Sequence, residues 1–233
     1  MKKTIFKITL LNVLLLAGVA VVFLVPAFAA QKGIKVIKVD EVVNWTNIDE
    51  PVWANAPVYE ASLNTAPPFH PDTTSAAAVV ALKVQAVQDK KNIYIKLNWQ
   101  DRSNNTQIKG LNDFKDAVAV QFPISRSKTT NPFMGEKGKR VNIWRWAAGN
   151  VVENLFAEGF GTLTPSDTQY LKGSGVYHDG SWTVILSRSL SAPTAKDISV
   201  GKTMPVSFAV WEGGNGERDG FKAASIVWID MMF

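Results

Sequence analysis

Along much of the chain, apolar side chains recur at every second position in short runs separated by Gly, Pro, Asn and Asp. Within residues 79–88, Val80, Leu82, Val84 and Ala86 alternate with other side chains, which sets all four on one face of a strand. The polar turn Asp89-Lys90-Lys91-Asn92 follows. Beyond it Ile93, Ile95, Leu97 and Trp99 alternate with Tyr94, Lys96, Asn98 and Gln100, so the two runs predict a β-hairpin. Further β-rich runs occupy residues 35–39, 117–124 (AVAVQFPI), 140–146 (RVNIWRW), 182–188, 205–211 and 223–229. Asp179-Gly180, between Val176 and Trp182, signals a tight hairpin turn because glycine tolerates the positive φ needed there.

Residues 45–71 break the pattern. Pro51, Pro57, Pro67, Pro68 and Pro71 remove backbone donors and fix φ, and the segment reads as an irregular wrap over the core surface. Residues 151–156 are the best place for a short helix, and no long amphipathic helix is legible. These runs predict an all-β, antiparallel sandwich or barrel with short helices and long loops. Without an internal repeat, residues 30–233 read as a single domain.

The first 29 residues differ again. Lys2, Lys3 and Lys7 precede an apolar run from Ile8 to Pro26, broken by Thr9 and Asn12, which ends in Ala27-Phe28-Ala29. This is the order of a secretory signal peptide cleaved after Ala29. The rival reading is an uncleaved anchor, since the run approaches the roughly 20 residues of a membrane span. Of the 25 Lys and Arg residues three lie in this segment, so the remainder carries a net charge of only +2 against its 20 acidic side chains. With no basic run beyond the signal, the footprint of a nucleic-acid binder is missing. The absence of cysteine excludes disulfides, thiolate metal ligation, a cysteine nucleophile and c-type haem attachment.

Chemistry-bearing residues are sparse. His70 and His178 are the two histidines, both placed in loop contexts, and a Ser/His/Asp triad or multi-histidine zinc site lacks partners. Asp113, Asp116, Glu153 and Glu158 read as solvated loop carboxylates. Asn44-Trp45-Thr46 matches the short glycosylation pattern, which has a high false-positive rate. Trp144 and Trp146 share one strand face, as core packing, as stacking platforms for a sugar, or as walls for a flat macrocycle. Met134 sits in the loop Asn131-Pro132-Phe133-Met134-Gly135; methionine usually fills core gaps, but its thioether is also a soft axial ligand for haem iron. Lys222 follows the glycine-rich segment from Trp211 to Phe221 and reads either as an exposed lysine or, in an apolar pocket, as a neutral amine ligand.

The blocks NPFMG, VNIWRW, GFGTL, GVYHDGSWTVILSRSL and MPVSFAVWEGGNGERDGFKAASIVWI resemble the haem b (gamma) subunits of type II dimethyl-sulfoxide-reductase-family molybdoenzymes. That group includes ethylbenzene dehydrogenase, selenate reductase, chlorate reductase, dimethylsulfide dehydrogenase and related nitrite oxidoreductases. The resemblance runs from about Val79 to the C-terminus and is strongest from Phe114 onward. It implies a β-sandwich similar to family-nine carbohydrate-binding modules, holding one non-covalent haem b between Met134 and Lys222 as axial metal ligands. It implies no catalysis by this chain. Electrons would pass between the iron-sulfur subunit of a molybdenum-cofactor enzyme and an extracytoplasmic carrier such as a cytochrome c, in the periplasm or an equivalent compartment. No partner for the haem propionates carries over, and Arg140, Arg145 and Arg188 are candidates by charge alone. The alternative on the same fold is a carbohydrate-binding module without haem.

N-terminal sequencing of the exported protein is expected to begin near Ala30; finding Met1 retained would select the anchor instead.

Overall fold

The computed structural model describes residues 32–67, 76–194 and 196–233. The signal segment and His70 lie outside the described residues. The first strands are β1 (Ile34–Lys38), β2 (Tyr59–Ser62), β3 (Asn64–Thr65), β4 (Ala81–Gln88) and β5 (Asn92–Gln100). Then come β6 (Ala117–Pro123), β7 (Val141–Ala147), β8 (Val151–Ala157), β9 (Thr164–Pro165), β10 (Lys172–His178) and β11 (Ser181–Ser189). The last are β12 (Met204–Trp211), β13 (Ala223–Ala224) and β14 (Ile229–Met232).

Two layers result. In the first, β10, β11, β5 and β4 are antiparallel neighbours, and the far edge of β4 pairs with β2 over its first half and with β1, parallel, over its end. The second runs β12, β6, β7, β8, β9, with β13 and β14 sharing the other edge of β12. β1 also pairs with β14, so one hydrogen-bonded path curls from the first layer into the second. The protein is a β-sandwich, as the alternating runs predict.

Its core lies between the layers. Leu82, Val84 and Ala86 of β4 and Ile93, Ile95, Leu97 and Trp99 of β5 meet Val118, Val120, Phe122, Trp144 and Trp146 from the opposite layer. The Trp146 and Trp182 ring centroids stand 5.0 Å apart edge to face across the interior, and Phe122 packs 4.6 Å from Trp144. Trp144 and Trp146 are thus fully buried core residues, and neither offers a platform to a sugar. Arg188 is buried there too, its guanidinium 4.6 Å from the Trp144 ring and donating to the Ile198 carbonyl.

Several expectations need correcting. Residues 151–156 form β8, paired with β7 from Ala147 opposite Val151 to Val141 opposite Ala157. The β-branched pair Val151-Val152 disfavours helix, and left-handed backbone at Gly149 (φ 87°) and Asn150 (φ 57°) turns the chain back into a hairpin. The proline-rich wrap contains a 3-10 turn (Pro51–Asn55) and strands β2 and β3, which fall in the proline-free interval between Pro57 and Pro67 where every residue has an amide donor. Val80, expected on the buried face, precedes β4 and is 71% exposed. The final run divides into β13 and β14. The Asp179-Gly180 turn is found as read, with φ of 47° and 70° between the paired His178 and Ser181.

A Cβ at Gly175 on β10 would overlap the buried Trp146 ring. Gly175→Ala is therefore expected to destabilise the domain by about 1–3 kcal/mol in denaturant unfolding, the usual cost of overpacking.

Candidate functional site

All seven residues of β6 are buried, although only Val118, Val120 and Phe122 face the interlayer core. Strand alternation sends Ala119 and Gln121 to the other side. There the second layer carries small residues, Ala119, Ala147, Ser207, Ala209 and Ala224, and the room they leave is a cavity of about 920 Å³. Ile143, Leu155 and Trp211 add apolar walls, and loop residues Phe133, Met134, Phe160 and Lys222 border it.

Met134 is held by irregular backbone. It adopts left-handed φ of 62°, followed by Gly135 at 75°, and its carbonyl accepts a hydrogen bond from the Gly159 amide at 2.8 Å. Asn131 shapes the loop by accepting from the Phe133 amide through its side chain and from the Gly135 amide through its carbonyl. Gln121 ties the loop to the cavity floor, donating to the Pro132 carbonyl at 2.8 Å. At position 135 a Cβ would stand 2.6 Å from the Lys139 carbonyl oxygen, so only glycine fits.

The glycine-rich loop before Lys222 is held by buried carboxylates. Asp116 accepts from the Gly213 amide at 2.9 Å and from the Trp182 indole at 2.9 Å, joining the loop to the core. Glu217 accepts from the Ala78 and Glu212 amides and from Asn215. The Lys222 carbonyl accepts from the Ala66 amide, just beyond β3. Of the four carboxylates read as solvated loop groups, Asp116 is fully buried and Glu153 lies on β8, opposite Arg145 of β7. Asp113 caps its own loop by accepting from the Lys109 and Gly110 amides, whereas Glu153 and Glu158 pair with Arg145 and Arg140. His178 is exposed beside Asp179, and Asn44 accepts from the Thr46 amide in a local turn.

These two loops bring together side chains 88 positions apart: Lys222 Nζ lies 4.0 Å from Met134 Sδ. Lys222 is 9% exposed, and its Nζ stands 5.0 Å from the Trp211 ring centroid. Burial lowers its pKa to about 8, with Arg145 pushing the same way and Asp219 opposing. The neutral amine, with a lone pair to offer, is thus a minority form at neutral pH and the major one above about pH 8. Among the described residues no group of three or more His, Cys, Asp or Glu side chains is placed to hold a metal ion. Nor is any helix there long and apolar enough to cross a membrane. Sequence reasoning missed the small-residue floor, Trp211 and the buried carboxylates Asp101, Glu212 and Glu217. Alanines alternating outward on strands with apolar inner faces were the available signal.

The family model described as ethylbenzene dehydrogenase matches residues 50–164 and 159–223, a span that includes both loops. The chain belongs to this family. Chlorate reductase subunit gamma of Ideonella dechloratans is 40% identical over 184 residues, covering 78% of this chain and 77% of that one. A Haloferax mediterranei protein provisionally described as a respiratory nitrate reductase heme subunit is 31% identical over 205 residues, 86% and 74% of the two chains. The resemblance read from the sequence is borne out, and it is to a non-catalytic subunit type of the ethylbenzene dehydrogenase family. Among solved structures, a Bacteroides uniformis protein provisionally described as carbohydrate-binding superposes with a TM-score of 0.51 over 86% of this chain and 98% of that one, at 10% identity. That likeness speaks to the fold alone.

The carboxylates around the lysine loop set a pH dependence. Burial, reinforced by Asp116 and Glu212, raises Asp101 to about 7, and Asp116, Glu212 and Glu217 are raised as well, each chiefly by burial. Each group binds protons more tightly folded than unfolded, so its contribution is full below the unfolded value and is lost as pH rises through the folded one. Stability from this cluster is expected to fall between about pH 4 and 7, and Asp101→Asn to flatten that slope in chemical denaturation at stepped pH.

Proposed function

We propose that this chain is an electron-transfer subunit holding one non-covalent haem b, with the Met134 thioether and the Lys222 amine as axial ligands. The observation that carries the reading is the 4.0 Å approach of the two donor atoms at the border of a largely apolar cavity. Metal bonds to nitrogen and sulfur of about 2.0–2.1 and 2.3 Å, the lengths found at zinc, sum to a few tenths of an ångström more than this separation. A small side-chain shift thus suffices to admit a metal between them. The donor set also fits: a soft thioether suits haem iron, and a lysine kept partly neutral by burial can act as a ligand without first meeting bulk water.

When bound, the haem supplies reversible one-electron chemistry, and ligands on both sides leave no position for substrate or oxygen. The chain's own residues bind and orient. Gly135 and the Asn131 turn fix Met134, Asp116 and Glu217 fix the loop carrying Lys222, and the alanine floor accepts a flat ring. Relatives named as a gamma subunit and a heme subunit support assembly with other subunits of an oxidoreductase. On this reading the partners are an iron-sulfur subunit and a molybdenum-cofactor catalytic subunit, with a cytochrome c-type carrier outside the cytoplasm after signal cleavage.

Lys222→Met keeps chain length without an amine and is expected to change the haem spectrum and reduction potential. Met134→Ala is expected to weaken haem retention by roughly 10-fold or more, at least the loss seen when a mere supporting residue of a metal site is removed. Lys90, exposed and paired with Asp40, is the control whose substitution alters neither. If both ligand variants kept the parent spectrum, potential and haem content, the axial assignment would be wrong.

A further inference from the structure

The cavity is not uniform along its length. Met134 lies toward the end where β7 begins, since the Cβ position of Gly135 is 3.3 Å from Val141. Phe160 and Leu163, which follow β8, border the same end. At the opposite end, where β6 begins and β7 finishes, three cations border the cavity: Lys115, Arg145 and Arg218. Arg145 stands opposite Ala119 of β6 and Glu153 of β8, pairs with Glu153, and lies 5.6 Å over the Trp211 ring. Arg218 stacks 4.5 Å from the Phe114 ring and donates to the Gly216 carbonyl at 3.0 Å. Lys115 directly follows Phe114, and its Nζ is 3.3 Å from the Cβ position of Gly149 beyond β7.

We propose that Arg145, Arg218 and Lys115 form a carboxylate-binding end of this cavity and hold the propionates of the haem, an inference that rests on the haem reading. All three are half-buried, so each keeps some contact with water while its charge borders the cavity. Acids border this end as well: Glu153 pairs with Arg145, Asp219 acts on Lys222, and Glu217 is occupied by backbone amides. A guanidinium carries several donors in a planar fork, so one carboxylate partner does not saturate it. An apolar body with carboxylates along one edge matches a cavity apolar at one end and cationic at the other. The other two arginines considered from charge do not border the cavity: Arg140 pairs with Glu158, and Arg188 is buried between the layers.

The test uses the full mature chain, depleted of haem and titrated with haem or with haem dimethyl ester, whose propionates carry no charge. Affinity and the visible spectrum are read together. The parent protein is expected to bind haem at least about 10-fold more tightly than the ester, the worth of one charge-assisted hydrogen bond. Arg145→Gln, alone or with Lys115→Gln, is expected to shrink that ratio toward unity while leaving the axial spectrum unchanged. Equal affinity of the parent for haem and ester, with the same spectrum, would overturn the carboxylate assignment and leave the haem reading standing. Preference for haem that survives in folded variants would remove these residues from it. Failure of both compounds to bind would bring down the haem reading and this inference with it.

Discussion

The second layer of the sandwich has two faces to bury, and that constraint shapes everything else in the structure. Its inner face meets the first layer through large side chains such as Phe122 and Trp144. The outer face of the same strands carries several alanines beside Ile143, Leu155 and Trp211, an apolar surface that burial stabilises. Loops must close over it. The segments that do so bring in Met134, Phe160 and Lys222, so the cavity and its chemistry arise from a single packing requirement.

Covering an apolar face with a lysine has an electrostatic cost, and the surroundings show how it is met. The ammonium form of Lys222 is disfavoured by burial and by Arg145, which leaves the neutral amine within reach near neutral pH. Its loop is in turn fastened by carboxylates whose lone pairs are taken up by backbone amides and indole donors instead of water. The lysine can therefore be presented from a loop with much of the positional definition of a strand.

Met134 is presented by a different device. Left-handed backbone at a non-glycine residue is costly, of order 1–3 kcal/mol, and persists when its surroundings over-determine it. Here Gly135, which tolerates no Cβ, and the Gly159 amide on the Met134 carbonyl hold the loop to one course. Both side chains are held by their own loops rather than by each other, which would lower the ordering cost of the ligand proposed between them.

Local pattern decided much of this protein. The alternation through Leu82 to Ala86 and Ile93 to Trp99, the left-handed Asp179-Gly180 turn and the absence of cysteine each depend on neighbouring residues only, and the hairpins and the antiparallel sandwich follow from them. Resemblance in short blocks singled out Met134 and Lys222. Residues 151–157 show where local pattern stops: VVENLFA suits a short helix or a strand, and pairing with β7 decides for the strand. Asp116 is a polar residue in a loop by sequence and a fully buried anchor in the fold, because its partners, the Gly213 amide of the glycine-rich loop and the Trp182 indole of β11, lie far away in the chain. The 4.0 Å between Lys222 and Met134, and the cationic end formed by Lys115, Arg145 and Arg218, likewise arise only when β6, β7 and β12 lie side by side. Periodicity records which face a side chain takes; only long-range strand pairing records which side chains share that face.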